Sequence, residues 1–317
     1  MRPPDRSPTV PFAAPRWLLP YSCLALIWGS SFLFMKVGLE SLTPIGVAFA
    51  RTGLGAATLV IACLASRTGP PPRATWRHLF VLAALFNAVP FALFAYGETH
   101  VSSIVAGLIN AVTPLTTLVA ILIAFPEEQP TRERIVGLGI GFAGVLVVLG
   151  PWRALGGAEW LGMLACLAAV SCYGIAIPYA RRHVLGRGHS PLALSCGQVV
   201  LGALQLAPVA AVTGTSSGPM LGRSILAMLG LGCLGTGIAF LLNLGVLTAA
   251  GSTTASTVTY FTPLVAVLVG STFLGEPLHW NEPVGALVVV AGAALAQGFV
   301  AIPLRRAPRT TGGTEPT

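Results

Sequence analysis

Charged side chains are scarce in this sequence. Asp, Glu, Lys and Arg make up only 9% of the 317 residues, whereas 54% are hydrophobic and the mean hydropathy is +0.80. A soluble domain carries roughly 25% charged residues, because its surface must stay hydrated. So few charges exclude a soluble fold of this size, and the sequence predicts an integral membrane protein.

Groups that would support catalysis or metal binding are also missing. The six cysteines fall inside apolar stretches and lack metal-ligand spacing, so they are interpreted as packing residues and no cofactor or metal is predicted. No Walker A sequence is present, which excludes direct use of ATP by this chain. Neither Asp nor Glu lies in the middle of an apolar run, and this argues against an enzyme embedded in the membrane.

Long apolar runs dominate what remains. A helix of about 20 apolar residues crosses a bilayer. Ten such runs predict an all-α membrane protein with ten transmembrane helices, at about 17–37, 43–65, 78–96, 102–125, 134–150, 160–180, 192–212, 224–247, 252–273 and 284–302. Polar residues at 97–100 separate the third and fourth runs, and a weaker break at 248–251 separates the eighth and ninth.

Basic residues in the short loops predict the orientation of these helices. If the N-terminus is cytoplasmic, fourteen of the 18 Lys and Arg lie in cytoplasmic segments and only Lys36, Arg153 and Arg223 lie outside, while Arg51 falls within a run. The sequence therefore predicts a multi-pass protein of the inner or plasma membrane with both tails, 1–16 and 303–317, in the cytoplasm. The same placement explains the net charge of +8 through the lipid bilayer, without a nucleic-acid partner.

A module of about fifty residues appears twice. A shift of 149 positions carries Thr113-Pro114-Leu115 and Glu127 onto Thr262-Pro263-Leu264 and Glu276. The flanking runs also align, which divides the chain into a first repeat at 17–150 and a second at 159–302. Because five runs is an odd number, the second repeat enters the membrane from the opposite side. Inverted repeats of this kind are typical of secondary transporters, whose substrate site lies between the halves.

These residues resemble a known family. Ile27-Trp28-Gly29-Ser30-Ser31-Phe32 in the first run, Pro44 with Arg51 in the second, and the repeated Thr-Pro-Leu and Glu module are similar to the drug/metabolite transporter superfamily, EamA type. The resemblance covers about residues 17–300. It implies a ten-helix transporter, commonly an exporter of amino acids or other small metabolites. The first copy has Pro126-Glu127-Glu128 where the second has Gly275-Glu276-Pro277, a departure that concerns the loop turn rather than the fold.

Polar and aromatic side chains within the runs are the candidate substrate-binding residues. Groups that are costly in hydrocarbon tend to face a partner or a water-filled cavity. In the first repeat they are Trp28, Asn87, Asn110 and Thr113, and in the second Tyr173, Thr236, Asn243 and Tyr260. Asn87 shares a predicted helix face with Phe91 and Phe94, as Thr236 does with Phe240 and Asn243. The alternative is hydrogen bonding that only joins helices, and for Tyr260 packing is favoured.

Three other features allow two interpretations each. Pro114 and Pro263 are candidate hinges of a rocking motion, or static bends. Arg51 either pairs with a substrate carboxylate or has a structural role, and the structural role is favoured because its repeat partner is the neutral Gln198. Glycines at 137, 141, 144, 285 and 292 form small-residue stripes for close helix packing, either within the chain or in a homodimer.

The sequence thus predicts a secondary transporter of a small-molecule substrate that works by alternating access around a central cavity, and the resemblance implies an exporter of amino acids or related compounds. A membrane-embedded enzyme and a structural or regulatory membrane protein are the alternatives.

Overall fold

The computed structural model describes residues 17–124, 131–152, 156–185 and 187–296, and this part of the chain is helical, with one isolated bridge between Leu42 and Ser216. Glu127 and the two predicted tails lie outside the described residues. The helices are α1 (Leu18–Gly38), α2 (Pro44–Ala65), α3 (Arg73–Glu98), α4 (Ser103–Ala124), α5 (Arg132–Leu149), α6 (Gly157–His183), α7 (Pro191–Thr213), α8 (Gly222–Ala250), α9 (Val258–Phe273) and α10 (Asn281–Ala296).

Seven helices in the described ranges, α1 to α4 and α6 to α8, are long and apolar enough to cross a membrane. The helices α9 and α10 are apolar but shorter, and α5 has 18 residues with charges in its first turn. Large apolar side chains point outward, including Leu64 at 74%, Ile123 at 75% and Val212 at 87% exposure. A surface of this kind is stable against lipid and not against water, which is the physical basis of the membrane assignment.

Several helices depart locally from α geometry. Helix α1 is divided near Ser30, and α4 is divided at Ala111 and Val112, directly before Thr113-Pro114. Helices α3 and α8 each contain a wider π-helical segment, Ala84–Ala88 and Gly230–Ile238. The two segments occupy equivalent places in the two repeats. Such segments often mark functional sites, because they change which side chains face the interior.

Helical backbone turns continue across the predicted break at 248–251, within Ala239–Phe273, although the apolar spans α8 and α9 end at Ala250 and begin again at Val258. The Thr248 hydroxyl donates back to the Leu244 and Gly245 carbonyls, so this polar residue supports the helix instead of ending it. The chain still reverses direction between α8 and α9. Leu221, before α8, bonds Ser41, and Glu276, after α9, bonds Ser103, and both contacts lie at the same end of the bundle.

One end of the bundle is closed by contacts between loops, and we call it the sealed end. There the segments after α1, α3, α5, α7 and α9 meet through Lys36 Nζ and the Glu98 carbonyl (2.6 Å), Thr43 N and the Thr215 carbonyl (3.0 Å), Ser41 and Ser224 Oγ (3.0 Å), Ser103 N and Glu276 (2.9 Å), and Asn281 Nδ2 and the Val147 carbonyl (3.1 Å). At the opposite end, His78 bonds Tyr179 at 3.0 Å and stacks on His183.

Helix pairing has an internal symmetry. Helix α2 packs on α7 and α5 packs on α10, each against its repeat equivalent, while α1 pairs with α9 as α6 pairs with α4. The glycine stripes make the α5–α10 contact: a Cβ on Gly144 would lie 2.6 Å from Val289 N. Only glycine permits this backbone approach. The stripes are therefore occupied within the chain and do not offer a surface to a second copy.

Candidate functional site

A cavity of about 380 Å³ lies between the two repeats. Its wall is largely aromatic and apolar, with a few polar side chains from both repeats. The lining residues are Trp28, Ser31, Phe32, Arg51, Phe86, Phe91, Phe94, Asn110, Thr113, Tyr173, Ile177, Gln198, Gly235, Phe240, Asn243, Thr259 and Thr262. A small number of placed polar groups in an apolar enclosure is typical of a small-molecule site.

The cavity extends away from the sealed end. Asn243 lies on α8 about 28 Å beyond Ser224 at the sealed end, at 1.5 Å per residue. Ile177 also lines the cavity and lies on the last turns of α6, close to the His183 and His78 stack at the opposite end. The structure is therefore closed on one side, and the cavity approaches the other.

Five of the eight predicted substrate-binding residues line this cavity: Trp28, Asn110, Thr113, Tyr173 and Asn243. Their role in binding stays a prediction. Thr113 donates its hydroxyl to the Asn110 carbonyl at 2.7 Å, as the equivalent Thr262 does to Thr259 at 2.9 Å. These two threonines stabilise their own helices and contribute mainly shape.

The side chains of Trp28, Asn110, Tyr173 and Asn243 form no hydrogen bond with any other residue in the described ranges. All four residues are half-buried, and their side chains line the cavity rather than the closed core. An indole N–H, a phenol and two amides are thus free to bind the contents of the cavity. Tyr173 is held in place by stacking on Phe86, with ring centroids 5.9 Å apart.

Asn87 and Thr236 do not line the cavity, but each contacts a side chain that does. Asn87 is fully buried and accepts a hydrogen bond from Gln198 Nε2 at 2.9 Å, while Thr236 accepts one from Arg51 Nε at 3.1 Å. Each therefore holds a residue that does line the cavity. The two predicted residues occupy equivalent positions, and both lie in the π-helical segments.

The remaining predicted residues lie elsewhere. Tyr260 packs against the main apolar core and does not line the cavity, although its neighbour Thr259 does. Pro114 follows the break in α4, whereas Pro263 sits inside continuous helix. The two prolines thus have different surroundings, and their hinge role stays a prediction.

Arg51 is the cationic residue of the lining, and the structural role favoured from the sequence describes only half of its surroundings. Its side chain is 9% exposed, and its guanidinium carbon lies 3.7 Å from the centre of the Phe91 ring. The Nε group bonds Thr236, and the terminal nitrogens bond no residue in the described part of the chain. Phe91 and Thr236 thus hold the guanidinium so that its terminal N–H groups, which have no partner among the described residues, are available to the cavity.

Gln198 also lines the cavity, although it is not among the predicted substrate-binding residues. It aligns with Arg51 between the repeats, so the alignment itself was the signal for a pair of facing polar groups. The sequence places Glu98 in a polar break between the third and fourth runs, but in the structure it ends α3 and is fully buried, and neither carboxyl oxygen has a hydrogen-bond partner among the described residues. Lys36 binds the Glu98 and Val101 carbonyls and so draws this turn into the sealed end.

A helical membrane bundle that is built on a sequence repeat and encloses a cavity between the repeats is typical of membrane transporters. The chain matches the EamA-like transporter family over residues 16–150 and 160–297, and it belongs to that family.

Full-length relatives agree with this assignment. The chain is 28% identical over 278 residues to a probable terminal-alkyne amino-acid exporter of Streptantibioticus cattleyicolor, covering 84% of this chain and 89% of that protein. It is 27% identical over 281 residues to the uncharacterized inner membrane transporter YedA of Escherichia coli K12, covering 86% and 87%. These names indicate transporters and not enzymes.

A solved crystal structure also has the same fold. It superposes with a TM-score of 0.64 at 20% identity and covers 90% of this chain and 98% of the other. At this identity the likeness concerns the fold alone.

Proposed function

We propose that this protein exports amino acids or closely related small metabolites across the inner membrane by alternating access. The observation that carries the proposal is the cavity between the repeats, whose wall presents an indole, a phenol and two amides with no partner in the described ranges. Its size and aromatic lining suit a small, partly apolar solute. The name of the Streptantibioticus relative supports an amino-acid class of substrate.

In this proposal ten helices cross the membrane as two inverted repeats of five, with domain limits at 17–150 and 159–302. The contacts at the sealed end support the inversion. The loop after α1 meets the loop after α7 through Thr43 and Thr215, whereas repeats in the same orientation would bring it to the loop after α6. The helix pairing, which exchanges the two halves, supports the same arrangement.

Transport should be measured in proteoliposomes loaded with each of the 20 amino acids in turn, with efflux followed after dilution. We expect protein-dependent efflux of a subset that shares a partly apolar side chain. Trp28→Ala and Asn243→Ala should weaken apparent affinity by about 2- to 10-fold, because each removes an unpaired cavity group worth about 0.5–1.5 kcal/mol.

Tyr260→Ala is the matched control for this measurement, because Tyr260 packs beside the same region without lining the cavity. It should lower the yield of folded protein and leave efflux per folded molecule unchanged. Efflux of no amino acid above protein-free vesicles would refute the proposed substrate class. Equal per-molecule efflux in all three variants would place the transport site elsewhere.

The basic loops support an orientation in which the sealed end faces outward and both tails face the cytoplasm, so that this structure is open toward the inside. Two glycines in open, exposed loops allow a matched test: a side chain on Gly69 or on Gly218 would meet nothing within 4 Å. In a background with the six native cysteines replaced by alanine, Gly218→Cys should react with a membrane-impermeant maleimide in intact cells. Gly69→Cys should react only after permeabilisation, and the reverse pattern would overturn the orientation.

The partners in this proposal are the small-molecule substrate and the lipid bilayer, without nucleic acid. A homodimer, if formed, would use a face other than the α5–α10 glycine contact, which is filled within the chain.

A further inference from the structure

The strongest feature that the proposed function does not use is the guanidinium of Arg51. Its side chain is more than nine-tenths buried, yet it forms no ion pair with any acidic residue in the described ranges. An arginine side chain keeps its charge and presents five N–H donors, of which the described residues use one, at Thr236. Buried charges in membrane proteins are paired or face the path of a substrate. This charge faces the cavity.

No Asp or Glu belongs to the lining formed by the described residues. Glu98 is buried nearer the sealed end and does not line the cavity; it interacts with Arg51 electrostatically, but forms no hydrogen bond with it. The described lining therefore contains one cationic side chain and no acidic one, which favours an anionic group of a solute.

The repeat symmetry limits the site to one anionic group. At the position equivalent to Arg51, the second repeat places Gln198, whose Nε2 is already committed to Asn87 at 2.9 Å. The first repeat thus contributes the charged guanidinium of Arg51 to the cavity wall, and the second repeat contributes the neutral amide of Gln198 at the equivalent position. A planar carboxylate fits the fork, because a guanidinium binds it with two parallel hydrogen bonds.

The rest of the wall determines what the body of the solute can be. Aromatic rings of Trp28, Phe86, Phe94 and Tyr173 suit an apolar body, and the amides of Asn110 and Asn243 suit uncharged polar groups. An ammonium group would find neutral oxygens and ring faces there, but no carboxylate. Recognition of the amino group is therefore weak compared with recognition of the carboxylate.

We propose that Arg51 binds the single carboxylate of the transported solute, and that the cavity selects monocarboxylates with an apolar body, whether or not they carry a free amino group. This inference rests on the proposed function only in taking the central cavity as the transport site. It narrows the substrate class to compounds that include N-acylated amino acids and simple carboxylic acids of amino-acid size.

The test is calorimetric binding to the purified full-length protein with two matched series. The leucine series is L-leucine, L-leucinamide, N-acetyl-L-leucine and 4-methylpentanoate; the second series replaces the side chain by that of phenylalanine. We expect at least one series to bind, with the N-acetyl compound and the amine-free acid at least as tight as the amino acid. The amide, which lacks the carboxylate, should be weaker by about tenfold or more.

Variants then assign the effect to Arg51. Arg51→Gln should abolish the preference for the acids over the amide, and Arg51→Lys should keep part of it, because a lysine retains the charge without the planar fork. Arg73→Gln is the matched control, since Arg73 is an exposed cation outside the cavity, and it should bind like the unmodified protein.

Equal binding of amide and acid by the unmodified protein, absence of binding by both series, or an unchanged acid preference in Arg51→Gln would overturn the proposal. If Arg51→Gln does not fold, the ligand series on the unmodified protein still decides. Failure of the transport function gives a different result: the acids bind in an Arg51-dependent way but no efflux occurs from proteoliposomes. Efflux of amides and acids at equal rates would instead retain transport and reject the carboxylate site.

Discussion

Glu276→Ala is expected to open the sealed end and to lower the melting temperature of the purified protein. The carboxylate after α9 accepts hydrogen bonds from Ser103 N (2.9 Å), Ser103 Oγ (2.8 Å) and Ile104 N (3.1 Å) at the start of α4. The first N–H groups of a helix have no partner within it, and negative charge is favourable there. Hydrogen bonds to a charged acceptor contribute about 1.5–3 kcal/mol, so a loss of this size is expected.

The same contact joins the second repeat to the first, so its loss should favour the outward-open state as well as weaken the fold. A cysteine at the cavity position Ser31, which is 4% exposed, reports this opening to a membrane-impermeant maleimide added from outside. Labelling should be slow in the parent and several-fold faster with Glu276→Ala. Glu276→Gln, which keeps one carbonyl acceptor, should fall between them.

Glu159→Ala is the control for stability alone. Glu159 also accepts a backbone hydrogen bond at a helix start, from Gly156 at 3.1 Å, but this bond stays within one helix end. It should lower the melting temperature without faster labelling at Ser31→Cys. Equal labelling in the Glu276 and Glu159 variants would mean that the Glu276 contact does not control opening.

The helices could be predicted from the sequence because hydropathy reports them directly, and the repeat gave their relative direction as an expectation. The cavity wall was harder to predict. The period of 3.6 residues places Asn87 with Phe91 and Phe94, and Thr236 with Phe240 and Asn243. In the structure the later residues of each set line the cavity and the first does not.

The physical reason is the π-helical segment in each repeat, which contains Asn87 in the first repeat and Thr236 at the equivalent place in the second. A wider turn adds a residue, so side chains before and after it no longer share a face at α-helical spacing. A period-based assignment therefore fails at the same position in both repeats. The backbone geometry that causes the failure has no simple sequence signature, although Pro90 and the glycines of 230–237 lie in or near the two segments.

Arg51 shows a second limit. The sequence identifies it as a charge within an apolar run and aligns it with Gln198, but neither observation gives its partners. Those partners, Phe91 and Thr236, come from different repeats and become neighbours only through helix packing. Long-range contacts of this kind decide whether a buried charge is satisfied by the protein or left for a ligand.

Gly46→Leu is expected to abolish closure of the sealed end by steric conflict. Gly46 lies in the first turn of α2, and a Cβ there would overlap the Thr215 carbonyl, with the Thr215 Cα 3.0 Å away. Thr43 N bonds that same carbonyl at 3.0 Å, and Thr43 Oγ1 bonds the Gly214 carbonyl at 3.0 Å. A side chain at residue 46 therefore separates the loops that close the bundle, and it penalises the closed state selectively.

Overpacking costs about 1–3 kcal/mol. Applied to one of two states, this changes their ratio by about 5- to 150-fold. Maleimide labelling at Ser31→Cys from outside should rise accordingly, and efflux should fall because alternation needs both states.

Gly53→Leu is the matched control on the same helix, since a side chain there would meet nothing within 4 Å. It should keep efflux within about twofold of the parent, because surface substitutions usually change stability by less than about 0.5 kcal/mol. If Gly46→Leu folds, labels slowly and exports like Gly53→Leu, the contact between α2 and the loop after α7 is not part of the closure, and the closing element must lie with Glu276 and Lys36 instead.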